Sequence, residues 1–152
     1  MADYKYASVD EFPPFAPEAI EVSVGVNPEL LLANRPDLNG FRIKHPNGTV
    51  YLILDGMRRH VPNPGTYANL FRDWSGIVTD IDVDEIQNGG PLSNGAILSR
   101  GIDTAPVYLI SNGVKRHVVS PAAMDKYYFA WERVVVVPAI QLDSIPTGQP
   151  IS

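Results

Sequence analysis

The 152 residues carry 17 acidic against 12 basic side chains, a formal charge of −5, which argues against a general nucleic-acid binder or a coat for anionic membranes. There is no cysteine, so disulfides, thiolate metal sites and cysteine nucleophiles are excluded. No apolar run approaches the roughly 20 residues of a membrane span, and 14 prolines with 12 glycines predict many turns between short elements in one ordinary domain or two very small ones.

Residues 1–35 read as a separate N-terminal segment. Phe12-Pro13-Pro14-Phe15-Ala16-Pro17 cannot be helical and predicts an extended arm, whose aromatics Tyr4, Tyr6, Phe12 and Phe15 are able to dock on the domain or on a partner. Glu18 to Val26 alternates as a half-buried strand does, with Ile20, Val22, Val24 and Val26 on one side. Asn27-Pro28 then opens a short helix that Pro36 ends. No export signal precedes Asp3-Tyr4-Lys5, so the expected location is either the cytoplasm or a cell surface reached by a non-classical route.

From Pro36 onward the chain repeats itself. Pro36-Asp37-Leu38-Asn39-Gly40 returns 55 residues later as Pro91-Leu92-Ser93-Asn94-Gly95. Phe41 to Lys44 predicts a strand, and Pro46-Asn47-Gly48 turns it into Thr49 to Leu54. The stretch Val50-Tyr51-Leu52-Ile53-Leu54-Asp55-Gly56-Met57-Arg58-Arg59-His60-Val61 recurs as Val107-Tyr108-Leu109-Ile110-Ser111-Asn112-Gly113-Val114-Lys115-Arg116-His117-Val118. Asp-Gly and Asn-Gly between apolar runs predict type I′ hairpins, because both central residues need φ > 0. Asn63-Pro64 and Ser120-Pro121 each place a capping residue before a first-turn proline. The helices that follow carry Tyr67, Leu70, Phe71, Trp74 and Met124, Tyr127, Tyr128, Trp131 at i, i+3, i+4, i+7. Strands over Ile77–Ile81 and Val134–Val137 come next, then Val83-Asp84-Glu85-Ile86 and Leu142-Asp143-Ser144-Ile145. The closing Gly148-Gln149-Pro150-Ile151 reads as the start of a third unit.

The expected fold is therefore α+β and β-rich: two pseudo-symmetric β-β-β-α-β units, 36–91 and 92–152, packed together with the N-terminal arm. Hairpin register pairs Tyr51 with His60 and Tyr108 with His117. Alternation puts Val50, Leu52, Leu54, Met57, Arg59 and Val61 on a core face, and Tyr51, Ile53, Arg58 and His60 on the opposite, outward one. Arg59 and Arg116 thus put a charge on an apolar face, and each needs a carboxylate or several carbonyls.

The string Val-Tyr-Leu-Ile-x-x-Gly-x-(Arg/Lys)-Arg-His-Val, with its Asn/Ser-Pro helix, tryptophan, valine strand and (Leu/Val)-Asp-x-Ile, resembles repeats of bacterial surface and secreted proteins. Those repeats often accompany cell-wall hydrolases or other adhesive modules. The resemblance covers about residues 36–152, implies a cell-surface or secreted setting, and carries no catalytic motif.

The candidate ligand-binding set is Tyr51, Arg58 and His60 in the first unit and Tyr108, Lys115 and His117 in the second: a polar, aromatic platform once per repeat, beside the plainer reading of cross-strand packing. Arg59 and Arg116 are expected to be structural or secondary ligands. Trp74 and Trp131 close apolar stripes and belong to the core by default; sugar stacking would need an exposed indole face. Asp80, Asp82 and Asp84 alternate like calcium ligands, but Glu85 occupies the glycine position of a calcium loop and the bidentate glutamate is missing. His45, His60 and His117 lack zinc spacing, and no nucleophile is set beside a base. The sequence therefore points to a non-catalytic module without metal or cofactor that binds a glycan or cell-envelope polymer. The competing readings are a protein-interaction or structural module that oligomerises or docks through its arm, and a secreted toxin or insecticidal component.

Overall fold

A computed structural model describes residues 32–152; the expected arm, first strand and the start of the first helix lie outside the described residues, and at that helix's expected end Ala33 forms a parallel bridge with Ile86 instead. The remainder is mixed α+β and strand-rich, as expected. After a 3-10 turn at Pro36–Leu38, strands β1 (Arg42–Lys44), β2 (Val50–Leu54) and β3 (Met57–His60) form an antiparallel meander. Helix α1 spans Pro64–Leu70 and a second 3-10 turn spans Val83–Glu85. The second repeat supplies β4 (Ile97–Gly101), β5 (Val107–Ser111), β6 (Val114–Val118), α2 (Pro121–Lys126), β7 (Val135–Val137) and α3 (Ala139–Asp143). Its sheet runs β6-β5-β4-β7, with β7 parallel to β4.

Both hairpins have the register that the turn chemistry requires. Asp55 and Gly56 sit at φ 60° and 73°, Asn112 and Gly113 at φ 54° and 79°. Tyr51 opposes His60, and Tyr108 opposes His117. Asn63 and Ser120 cap α1 and α2, accepting from the backbone N–H of Thr66 and Ala123. The repeat extends to the returning chain: Leu92 N–H donates to the His60 carbonyl at 3.0 Å, and Ile151 N–H to the His117 carbonyl at 2.7 Å.

Three expectations change. The strand predicted over Ile77–Ile81 is a single parallel bridge, Val78 with Ile43, because Asp80 and Asp82 turn the chain away into the next 3-10 turn; Asp82 accepts from Asp84 N–H there. The predicted helical stripes are cut short, with Phe71 extended at φ −107°, ψ 155° and Tyr128 at φ 59°. The cause is tertiary. Phe71 and Phe129 bridge the two repeats, with Ala130 N–H donating to the Leu70 carbonyl at 2.8 Å and Arg72 N–H to the Tyr128 carbonyl at 3.3 Å. Trp74 and Trp131 consequently lie beyond α1 and α2, Trp131 opening a 3-10 turn over Trp131–Arg133, and both are half-exposed rather than core. Third, the face expected to point outward is covered: Ile53 is fully buried with Leu38, Ile43, Val83 and Ile86 in a small second core. The main core spans both repeats, joining Leu52, Leu54, Tyr67, Leu70 and Phe71 to Leu98, Leu109, Met124, Tyr127 and Phe129.

Arg59 and Arg116 find their acceptor in Asp55, at the tip of the first hairpin. Arg116 grips it with Nη1 and Nη2 at 2.8 and 2.7 Å, and Arg59 Nη2 adds a third bond at 2.7 Å. Arg116 also donates to the Gln149 carbonyl, and Arg59 to that of Gly89. The Arg116 hydrogen bonds, with Arg59 assisting against the cost of burial, hold the Asp55 carboxyl below the usual carboxylate range.

Two predictions follow from the turns and this clasp. At Gly113 a Cβ meets no neighbouring atom, but Gly113→Val must hold φ near 79°, and loses about 1–2 kcal/mol in urea unfolding. Gly56→Val loses more, since its Cβ also strikes the Asn34 side chain. Asp55→Asn keeps the turn chemistry but leaves two guanidinium groups facing each other, lowering stability at pH 7 by about 2 kcal/mol, less than a fully buried pair because Asp55 is partly solvated. With a depressed folded pKa, the Asp55 contribution is complete above its unfolded value of about 3.9 and disappears as pH falls through the folded value. The gap between wild type and Asp55→Asn should therefore close only below about pH 4; a gap already closed at pH 6 would mean the carboxylate is not the partner that matters.

Candidate functional site

The cross-strand pairs meet as predicted but do not make a free platform. The Tyr51 and His60 ring centroids are 5.8 Å apart at 47°, those of Tyr108 and His117 5.6 Å apart at 44°. Arg58 lies 5.9 Å from the Tyr51 ring centroid and Lys115 Nζ 5.5 Å from that of Tyr108. Both cations, however, are turned inward. Arg58 Nη1 donates to the carbonyls of Val83, Asp84 and Ile86 at 3.2, 3.1 and 2.6 Å, and buried Lys115 donates to the Leu142 carbonyl at 2.6 Å. This corrects the outward assignment of Arg58 and Lys115. The chain after the Val78 bridge in the first repeat, and after β7 in the second, folds back over that face, and its carbonyls take the charge. All four basic hairpin residues are thus tied into the structure, two on each face.

The open site forms one step along the chain, around Trp74. A cleft of about 360 Å³ is walled by the β1–β2 turn (Asn47, Gly48, Thr49), by His60 and Pro62 at the end of β3, and by Asn63, Tyr67 and Trp74. A second hollow of similar size shares Gly48, Val50 and Trp74 and ends at Lys44, Ile77 and Thr79. Trp74 is 52% exposed, and its indole lies almost flat on the buried Tyr67 ring, with centroids 3.8 Å apart at 12°.

That indole is held from below. The Tyr67 hydroxyl donates to the Asp73 carbonyl at 2.6 Å and accepts from Arg42 Nη1 at 2.6 Å. Burial raises the Tyr67 pKa, against the opposing effect of Arg42, so the hydroxyl stays a donor. Ser75 donates to the Asp73 carboxylate from both its hydroxyl and its N–H, and the Tyr128 hydroxyl adds a bond of 2.7 Å. Together they bring the Asp73 carboxyl down to about 2. Trp74 thus stands on a loop fixed on both sides, with its rotamer set before any ligand arrives.

The second repeat is similar but not equal. Trp131 is 48% exposed, yet the position matching Tyr67 is Met124, so the stacked pair is not repeated. Asn47, Thr49, Asn63 and Tyr67 escaped the sequence reading. Asn47 looked like turn chemistry, Asn63 like a cap and Tyr67 like core, and each is that as well. Among the described residues no group of three metal-ligating side chains converges; Asp84 instead pairs with His45 Nε2 at 2.9 Å. No described helix is long and apolar enough to cross a membrane.

Arg58→Met removes the charged donor shared by three carbonyls, of which only that of Val83 keeps a backbone N–H, from Ile86, and should lower stability by about 2–3 kcal/mol. Lys115→Met removes one charge-assisted bond from the Leu142 carbonyl, which keeps the Ile145 N–H, and should lower stability by about 1–2 kcal/mol, both read by urea unfolding. Negligible losses would mean these segments are held by the Val83, Ile86 and Leu142 side chains alone. Comparison with family models, with curated proteins and with solved structures finds no match to this chain, so the reading of the cleft rests on its own geometry.

Proposed function

We propose that this chain is a non-catalytic carbohydrate-binding module whose principal site is the Trp74 cleft. The observation that carries this reading is the half-exposed indole of Trp74, backed flat by Tyr67 and bordered by Asn47, Thr49, Asn63 and His60. A pyranose ring presents a face of C–H groups that stacks on an indole, while its equatorial hydroxyls reach sideways to amides, hydroxyls and imidazole. An apolar floor with a few polar groups at its edge is the usual composition of a small-ligand site. The adjoining hollow on the Lys44 side leaves room for a second sugar along a chain. A site this open gives modest affinity, so a repetitive cell-envelope polymer, bound through several copies at once, is the partner class that suits it. The Tyr51–His60 pair contributes through His60 at the cleft's edge, and Trp131 offers a weaker counterpart in the second repeat.

A glycan array with the intact chain, followed by calorimetry on the best oligosaccharide, tests this. Trp74→Ala should weaken binding about tenfold or more, the effect of losing roughly 1.4 kcal/mol, with little change in Tm because the indole is half in water. Trp131→Ala should have the smaller effect. Undiminished binding by a folded Trp74→Ala variant would remove the cleft from consideration.

One observation favours the competing reading of a self-associating module. Strand β7 is an edge strand whose Val135 and Val136 are exposed, with Ile140 nearby in sequence and exposed as well; unpaired apolar edges invite pairing. Silence on the array together with concentration-dependent association in sedimentation would favour it.

A further inference from the structure

Arg42 is a buried cation whose needs the described residues leave unmet; Arg59 Nε also lacks an acceptor, but that guanidinium is paired with Asp55. Arg42 is only 5% exposed, and among the described residues no carboxylate lies within ion-pair distance of it. Nη1 reaches two neutral acceptors, the Tyr67 hydroxyl at 2.6 Å and the Asp73 carbonyl at 3.4 Å. The Tyr128 ring lies 4.0 Å from the guanidinium carbon. Nε is buried without any acceptor, and no hydrogen bond from Nη2 is formed among the described residues.

Nε and Nη2 share one edge of the guanidinium, the edge that grips a carboxylate side-on. Arg35 uses the same two atoms on Asp37 here, at 2.9 and 2.8 Å. In Arg42 this edge faces Gly76: a Cβ at position 76 would sit 2.9 Å from Nη2, so only glycine leaves the approach open. A cleft of about 330 Å³ opens there, lined by Asn39, Phe41, Gly76, Val78 and Lys126 around Arg42. The nearby carboxylates are committed elsewhere, Asp73 to Ser75 and Tyr128, and Asp125 to Arg72.

A guanidinium taken out of water is costly unless an anion faces it, and its fork matches the spacing of two oxygens on one carboxylate, sulfate or phosphate. We propose that the cleft over Arg42 is a binding site for a single oxyanion group, gripped by the Nε/Nη2 edge. It is distinct from the Trp74 cleft, and stands whether or not that cleft binds glycans.

The test uses the full chain, with sodium sulfate, sodium phosphate and sodium glucuronate titrated separately against sodium chloride of matched ionic strength. The readouts are Tm and the Arg42 Nε resonance in a ¹⁵N-edited spectrum. At least one of the three should shift that resonance saturably and raise Tm above the chloride control; which one does so separates a carboxylate ligand from a sulfate or phosphate. Phe41→Glu places a carboxylate in the cleft as an internal competitor. It should weaken the anion's binding at least tenfold and raise Tm without added anion. Gly76→Ala, if it folds, should weaken binding similarly. No saturable shift with any of the three anions would overturn the proposal, as would an anion effect of equal size in Phe41→Glu.

Discussion

Asp55 joins the two repeats through a geometry that leaves little freedom. Its carboxylate stands at the tip of a type I′ turn, at φ 60°, and receives one guanidinium from its own hairpin and another, through two bonds, from the hairpin of the other repeat. The second hairpin has Asn112 at the matching position, so the charges do not duplicate. One carboxylate serves two arginines, and the carbonyls of Gly89 and Gln149 each take one further donor. The two β-units share the main core, the first keeping a smaller one of its own, and the Asp55 clasp joins the two hairpins. At the other end of that core, the Phe71–Phe129 bridge closes the pair through the backbone.

The candidate site is a consequence of that second closure. A helix continued past Leu70 would have carried Trp74 onto its apolar stripe. The chain instead leaves the helix so that the Leu70 carbonyl and Arg72 N–H can pair with the other repeat. The indole is carried outside and laid on Tyr67, with Asp73 and Ser75 fixing the loop. The same rearrangement sends Arg42 beneath Tyr67 and Tyr128, where no carboxylate of the described residues meets its fork. Both clefts therefore arise where the repeats deviate from their own pattern.

The hairpins themselves are stabilised on two faces, a heavier use of their basic residues than alternation suggests. Arg59 and Arg116 serve the interface between repeats; Arg58 and Lys115 serve the carbonyls of the segment that returns within each repeat. A guanidinium or ammonium group bonded to carbonyls in this way rigidifies a loop without requiring an acid in it.

The sequence by itself determined the local structure of this chain: both type I′ turns, the strand registers, and the Asn63 and Ser120 caps. Each follows from steric or hydrogen-bonding rules that operate within a few residues. It also marked Arg59 and Arg116 as needing acceptors, because a charge on an apolar face is anomalous wherever the partner lies. Which acceptor, and which face was covered, it did not determine. Alternation records only that two faces differ, and Ile53 lies on a face buried by a segment some 30 residues away. Trp74 shows the same limit. Its i, i+7 spacing from Tyr67 is compatible with a longer helix, and only the backbone bridge of Phe71 to Phe129, 58 residues on, ends that helix early and turns a core pattern into an exposed ring.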